Sequence, residues 1–169
     1  MQKTLARLDS VHQKLIDCVA NVDSNLYARS PGEGEWSVGE VVHHLCLVEA
    51  RVIKELERAI AQPPRRVRFV KRLLPTSIVA TRLIRVKAPK GVNPVDAPAR
   101  DEAIETFNQT RDGLKTLCAA HGKERFRNLV FNHPALGEID GVATVSFLGY
   151  HELRHYKQIR EVLRKLGNQ

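Results

Sequence analysis

Residues 36–60 read WSVGEVVHHLCLVEARVIKELERAI and contain the clearest helix start in the chain. Ser37 and Glu40 form an S-x-x-E capping box, and Trp36 and Val41 occupy the flanking positions of a hydrophobic staple. Apolar residues then recur at spacings of three and four, the period of one helix face. They are Val41, Leu45, Val48, Val52, Leu56 and Ile60. The stretch therefore predicts an amphipathic helix that begins after Ser37 and continues to about residue 60.

Three further stretches have the same apolar period. Residues 3–28 predict a first helix, residues 99–120 a third helix that Gly122 ends, and residues 140–167 a last helix with Asp140 as N-cap. A loop with His133, Pro134 and Gly137 precedes the last helix. Outside the connection between the second and third helices, only Leu129 to Phe131 suggests a strand.

Four helices with one long crossover predict an all-α fold, a four-helix bundle in which the second and third helices can run parallel. A length of 169 residues favours a single domain, 1–169. No apolar run exceeds four residues, so we expect no transmembrane segment, and no export signal is visible. The three cysteines form no CxxC pair, which favours reduced thiols and a cytoplasmic location.

The formal net charge of +8 is concentrated in the crossover, residues 62–97. This segment holds nine basic residues and one acidic residue, while the rest of the chain has 18 of each. Its prolines divide it into short pieces, so we expect a long connection rather than one helix. The simplest interpretation is a solvated crossover without a binding role. The alternatives are a lid that binds anions or a surface for acidic partners. Direct binding of nucleic acid is the least favoured.

The chemistry-bearing pattern is a pair of histidines in the last helix. His151 and His155 are four residues apart, which stacks two imidazoles on one helix face where both can ligate one metal ion. Leu148 and Ile159 flank the pair, so that face is directed towards the core. The alternative is a pair of hydrogen-bonded histidines without metal. Gln158 lies on the same face and could bond a ligand or a bound water.

The other histidines differ in their position relative to the apolar stripes. His44 flanks the stripe of the second helix and is the candidate third ligand, whereas His43 is expected in solvent. His12 occupies a stripe position and is interpreted as a core histidine, and His121 lies at a helix terminus. Three neutral imidazoles would suit Zn²⁺, or Ni, Fe or Mn, with one position open for water or substrate. Periodicity leaves open whether His44 meets the pair.

These motifs resemble the DinB superfamily of metal-binding four-helix bundles, which includes the YfiT-like proteins. The resemblance covers about residues 5 to 166. Its motifs are Trp36-Ser37-Val38-Gly39-Glu40 with His44-Leu45, then His133-Pro134 with Gly137, and finally His151-x-x-x-His155-x-x-Gln158-Ile159. The sequence looks most like the branch with a His-Pro-x-x-Gly loop before the last helix.

The resemblance implies that His44, His151 and His155 are the metal ligands and that the helices run up-down-down-up. The superfamily includes bacillithiol S-transferases and mycothiol-dependent isomerases, so it also implies metal activation of a low-molecular-weight thiol. No motif of the family explains the basic segment 62–97. Because of this departure, the resemblance does not assign the substrate of any one family member to this chain.

Three functions therefore compete. The first is a metal-dependent transferase or hydrolase that acts on a small molecule, with a thiol and an electrophile as one substrate pair. Its general base is undefined, because Glu152 and Glu40 are the nearest acids but are expected to be solvated. The second is a non-catalytic, stress-associated metal-binding protein, and the third is an adaptor that binds anionic surfaces through residues 62–97. A homodimer is compatible with each of them.

Overall fold

A computed structural model of the chain describes residues 1–67, 91–133 and 136–167. In this part of the chain the secondary structure consists of five helices and one hairpin. The helices are α1 (Gln2–Ala20), α2 (Ser24–Ala28), α3 (Val38–Ile60), α4 (Arg100–Arg127) and α5 (Gly141–Gly167), and the strands are β1 (Val130–His133) and β2 (Gly137–Asp140). The four long helices confirm the predicted all-α four-helix bundle.

Helix α3 begins as the sequence predicts. The Glu40 backbone N–H donates to Ser37 Oγ at 3.1 Å, and the Ser37 N–H donates to Glu40 Oε2 at 2.7 Å. Both bonds of the capping box are therefore present, and two N–H groups that the helix cannot satisfy have acceptors. At the other end, Arg125 Nη2 donates to the carbonyls of Ile60 and Gln62, each at 2.6 Å. Both ends of α3 are fixed by side chains.

The predicted first helix, residues 3–28, is wrong in its extent because the chain turns after Ala20. Asp23 starts a separate short helix, α2, where its side chain accepts a hydrogen bond from the Asn25 N–H at 2.9 Å. Asp is a strong N-cap residue, so this local signal was available. The apolar period continues across the turn because Val22 and Leu26 still pack on the core.

Helix α2 lies close to the start of α3. A Cβ built on Gly39 would be 2.8 Å from Cε1 of the buried Tyr27 ring, closer than real side chains approach. The glycine of the Trp36–Glu40 motif therefore makes room for the packing of α2 against α3.

The third predicted helix, 99–120, is longer in the structure. Gly122, predicted to end the helix, only interrupts it: its backbone has φ 69° and ψ 170°, but helical backbone resumes and α4 ends at Arg127. Gly is the residue that adopts this positive φ without strain.

The predicted loop and strand before the last helix form a β-hairpin. His133 pairs with Gly137 and Val130 with Asp140 in an antiparallel register. Residues 134–135 of the His-Pro-x-x-Gly loop lie outside the described residues. Asp140 acts as the predicted N-cap, since its Oδ1 accepts the Ala143 N–H at 2.8 Å.

The helix directions follow from two apolar clusters. The first cluster contains the end of α1, the starts of α3 and α4, and the end of α5; it includes Leu15, Val19, Val41, Phe107, Ile159 and Val162. The second contains the opposite ends of the same helices; it includes Leu8, Val52, Leu56, Leu114, Val145 and Leu148. Helices α1 and α5 therefore run one way and α3 and α4 the other. This is the up-down-down-up order, and it makes α3 and α4 parallel.

A layer of buried polar residues separates the two clusters. Each long helix contributes one of its members, His12, Glu49, Arg111 and Glu152, and each side chain is less than a tenth exposed. We call these four residues the polar layer.

The described flanks of the basic crossover are tied to the bundle. The Arg65 N–H donates to the Asn128 carbonyl at 2.9 Å, and Arg65 Nη2 lies 2.7 Å from Glu138 Oε1. Arg66 Nε donates to Asn128 Oδ1 at 2.8 Å. The other seven basic residues of segment 62–97 lie between residues 68 and 90, outside the described residues. Among the described helices, none is long and apolar enough to cross a membrane.

Candidate metal centre

The three histidines of the sequence prediction meet in space. His44 on α3 and His151 and His155 on α5 each direct one ring nitrogen to a common point, with these nitrogens within 4.8 Å of one another. The Nε2 atoms of His151 and His155 are 3.2 Å apart. The His44 ring centroid lies 5.3 Å from that of His151 and 4.9 Å from that of His155. The four-residue spacing on α5 and the antiparallel α3 bring them together.

The ring of His44 is oriented by the end of the crossover. Its Nδ1 lies 2.7 Å from the carbonyl oxygen of the buried Val92. A carbonyl only accepts, so Nδ1 holds the proton and Nε2 is left with its lone pair for a metal ion. The last residues of segment 62–97 thus take part in the site through the backbone, which no side-chain pattern could predict.

His155 is oriented in the same way by its own helix. Its Nδ1 lies 2.9 Å from Gln158 Oε1, so Nδ1 donates and Nε2 is unprotonated. The sequence interpretation of Gln158 as a partner for a ligand or water is therefore replaced by a supporting role. Hydrogen bonds of this kind on the non-ligating nitrogen are typical of metal-binding histidines.

Burial keeps these imidazoles neutral. Loss of hydration, together with repulsion from His44, Arg154 and His133, lowers the pKa of His151 to about 3. Burial also lowers the pKa of His155 well below its usual value, and that of His44 below its usual value. Neutral imidazole is the form that ligates a metal ion, so no proton competes for the site at neutral pH.

Aromatic rings surround the three histidines. Trp36, the residue before the N-cap of α3, is half-buried with its ring centroid 5.0 Å from that of His44 and 6.5 Å from that of His155. Phe147 lies 5.4 Å from His151 on the other side and is in edge contact with His133 at 4.4 Å. Trp36 and Phe147 thus give the three imidazoles aromatic neighbours. The hairpin thus brings His133 near the site, a placement that the sequence did not predict.

The donor set fits a divalent ion. Tetrahedral coordination with Zn–N bonds of about 2.0–2.1 Å puts ligand nitrogens about 3.3 Å apart, close to the 3.2 Å between His151 and His155 Nε2. Two of the three rings have tautomers that direct an unprotonated Nε2 inwards. Three protein nitrogens leave a position for a further ligand, as in catalytic zinc sites.

The other histidines and acids considered in the sequence analysis are not part of the group of three histidines. His43 is half-buried rather than solvated, and its Nδ1 is buried without a partner in the described chain. His12 is a core histidine as predicted, with Nε2 2.9 Å from Asn108 Oδ1. Glu40 is not simply solvated, because its carboxylate binds the Ser37 N–H. The prediction that Glu152 is solvated is wrong, since it is buried and bonded to Arg111.

The sequence profile of the DinB superfamily matches residues 7–159, nine-tenths of the chain. The chain belongs to the DinB superfamily. It is 27% identical over 141 residues to the uncharacterised protein YuaE of Bacillus subtilis (strain 168), which covers 82% of this chain and 83% of YuaE.

Two solved structures have the same fold. One is YfiT from Bacillus subtilis, described as a probable metal-dependent hydrolase with an unusual four-helix bundle topology. It has a TM-score of 0.68 and 17% identity, over 98% of this chain and 87% of YfiT. The other is TT2238, a four-helix bundle protein, with a TM-score of 0.63 and 20% identity over 95% of this chain and 98% of TT2238. At these identities the likeness establishes the bundle topology of this DinB member.

Proposed function

We propose that this DinB-superfamily protein is a metal-dependent enzyme in which His44, His151 and His155 bind one divalent ion. The observation that supports the proposal is the convergence of three ring nitrogens within 4.8 Å, two of them with tautomers fixed by Val92 and Gln158. Zn²⁺ is the ion that best suits three imidazoles, with Ni, Fe or Mn as alternatives.

The ion would supply Lewis acidity, which lowers the pKa of a bound water or thiol so that a nucleophile exists near neutral pH. The chain's own residues hold the ligand nitrogens unprotonated, with the rings of Trp36 and Phe147 beside the imidazoles. Neither Glu40 nor Glu152 is placed to act as general base, because their carboxylates bond Ser37 and Arg111. We therefore assign neither acid as general base and expect the substrate to exchange protons with the nucleophile and with solvent.

The substrate is a small molecule, and a thiol with an electrophile is the pair favoured by the family resemblance. Hydrolysis is the second reaction of the same site, and the description of YfiT as a probable metal-dependent hydrolase supports that option. The cytoplasmic location, the single domain 1–169 and a homodimer stay predictions from the sequence. The anionic-surface adaptor also stays a prediction, since most of its basic residues lie outside the described chain.

Metal analysis of the purified protein tests the ligand set. We expect one divalent ion per chain in the wild type and sharply reduced metal in His151→Ala, His155→Ala and the double variant. Each substitution removes a nitrogen that converges on the site.

His43→Ala and the exposed His121→Ala serve as controls and should retain the metal. Stoichiometric metal in the His151→Ala, His155→Ala double variant would refute the site. A screen of cellular thiols with electrophiles, run beside a panel of hydrolysable esters and amides, then separates transfer from hydrolysis.

A further inference from the structure

Arg111 on α4 contacts all three of the other long helices. Its Nε and Nη2 donate to the two carboxylate oxygens of Glu49 on α3, at 2.8 and 2.9 Å. Nη2 also donates to Glu152 Oε1 on α5, and Nη1 lies 3.5 Å from the Leu8 carbonyl on α1. One buried guanidinium therefore joins the whole cross-section of the bundle.

The two acids that Arg111 binds lie on the helices that hold the metal site. Glu152 follows His151 directly on α5, and Glu49 lies five residues after His44 on α3. A rotation of either helix by about 10° would move an atom about 6 Å from its axis by about 1 Å. The bonds from Arg111 to Glu49 and Glu152 oppose such rotations of α3 and α5. Since a misplacement of this size disrupts a coordination site, the rotational setting of the two helices matters for metal binding.

The N–H donors of Arg111 are arranged so that one side chain can restrain both α3 and α5. A guanidinium is planar and binds the Glu49 carboxylate through two parallel N–H bonds, while a third donor reaches Glu152. A lysine has no such fork, and a purely apolar layer would give no directional restraint. Buried ionic groups add little to stability compared with apolar replacements, so a role in specifying geometry accounts better for this cluster.

We propose that Arg111 is a positioning residue for the metal centre, which sets the rotation of α3 and α5 through Glu49 and Glu152 so that His44 meets His151 and His155. This inference rests on the proposed ligand set and extends it to the polar layer. Arg111 itself does not touch the metal site in the proposal.

Zinc affinity and the visible spectrum of the Co²⁺-substituted protein test this role, because the spectrum reports ligand geometry independently of stability. We expect Arg111→Met to weaken zinc binding by about 10-fold to 100-fold, the range for groups that orient ligands, and to change the Co²⁺ spectrum. Affinity is measured by competition with a chromophoric chelator, at temperatures where circular dichroism shows a folded protein. The matched control is Leu56→Ala, which removes a fully buried side chain of α3 in the second apolar cluster.

Loss of Arg111 leaves two buried acids close together, which can destabilise the fold. A second variant therefore separates the effect on stability from the effect on zinc affinity. Replacing Glu49, Arg111 and Glu152 by Met removes the whole cluster and should restore stability but not zinc affinity. If either Met variant fails to fold, Arg111→Lys keeps the charge and should also weaken binding and alter the spectrum.

The outcomes separate this inference from the proposed function. Wild-type zinc affinity and an unchanged Co²⁺ spectrum in the folded Arg111 variants would overturn the positioning role, as would an equal loss of affinity in Leu56→Ala. A wild-type protein that binds no zinc or Co²⁺ would instead overturn the ligand set itself.

Discussion

At the scale of single residues, the protonation of His12 depends on its neighbours in the polar layer. Its Nε2 donates to Asn108 Oδ1, so Nδ1 has a lone pair, and this Nδ1 lies 3.9 Å from Glu152 Oε2. Burial raises the pKa of Glu152, although the attraction of Arg111 opposes this shift. The unprotonated Nδ1 of His12 thus faces a carboxyl whose charged form is disfavoured by burial, beside the Arg111–Glu49 ion pair.

His12 therefore makes folding sensitive to acid. Burial and the nearby Arg111 charge lower its pKa from 6.5 to about 4, although Asn108, Asp9 and Asp112 oppose the shift. Between these values the unfolded chain binds a proton that the folded chain does not, so stability decreases as the pH falls from 6.5 towards 4. His12→Gln keeps a donor for Asn108 but removes the titration. We expect the wild type to lose about 2 kcal/mol more than this variant between pH 7 and pH 5.

Urea unfolding of both proteins at each pH, with metal removed by chelator, measures this difference. The metal-site histidines titrate in both proteins, so their contribution cancels in the comparison. Parallel pH profiles for the wild type and His12→Gln would show that the His12 pKa is not lowered.

At the scale of elements, the start of α3 links helix stability to the proposed metal site. The Ser37 hydroxyl accepts the Glu40 N–H, and His44 lies about two turns further along the helix. We expect Ser37→Ala to reduce the free energy of unfolding by about 1 kcal/mol, because an N–H of the first turn loses its acceptor. Fraying of that turn should also weaken metal binding.

Denaturant titration with and without zinc measures both effects. Ser10→Ala on the exposed face of α1 is a suitable control, since it replaces a serine without a capping role. An unfolding free energy for Ser37→Ala equal to that of Ser10→Ala would contradict the stabilising role of the capping box.

The elements also show which parts of the fold the sequence could predict. The capping box and the apolar stripe predicted α3 because both signals are local, and the i, i+4 spacing placed His151 and His155 on one face for the same reason. The turn after Ala20 was missed, since Val22 and Leu26 keep the apolar period across it. The link from Val92 to His44 was beyond prediction, because a backbone carbonyl has no signature in side-chain patterns.

At the scale of the whole molecule, the polar layer lies between the two apolar clusters. The members of the polar layer fill positions in the apolar stripes, as Arg111 does between Phe107 and Leu114 and Glu152 does after Leu148. A polar residue in an apolar stripe is a usable signal in the sequence, and of the four members only His12 was predicted from it to be a core residue. The order of the helices decides which acid pairs with which base across the bundle. Local sequence patterns do not show this order, so the ion pairs could not be predicted.

In the proposed site, metal binding would be a property of the folded bundle, since the three histidine nitrogens come from two helices that meet only after folding. An ion that binds the native state and not the unfolded chain adds about 2.7 kcal/mol at a concentration one hundred times its Kd. For a chain of this length, each kcal/mol shifts the Tm by about 2–4 °C. We therefore expect removal of the ion by a chelator to lower the Tm by about 5–10 °C, measured by calorimetry at a fixed protein concentration. The His151→Ala, His155→Ala double variant should show no shift with chelator, whereas His121→Ala should show the full one. A chelator shift of the same size in the double variant would place the stabilising ion at another site.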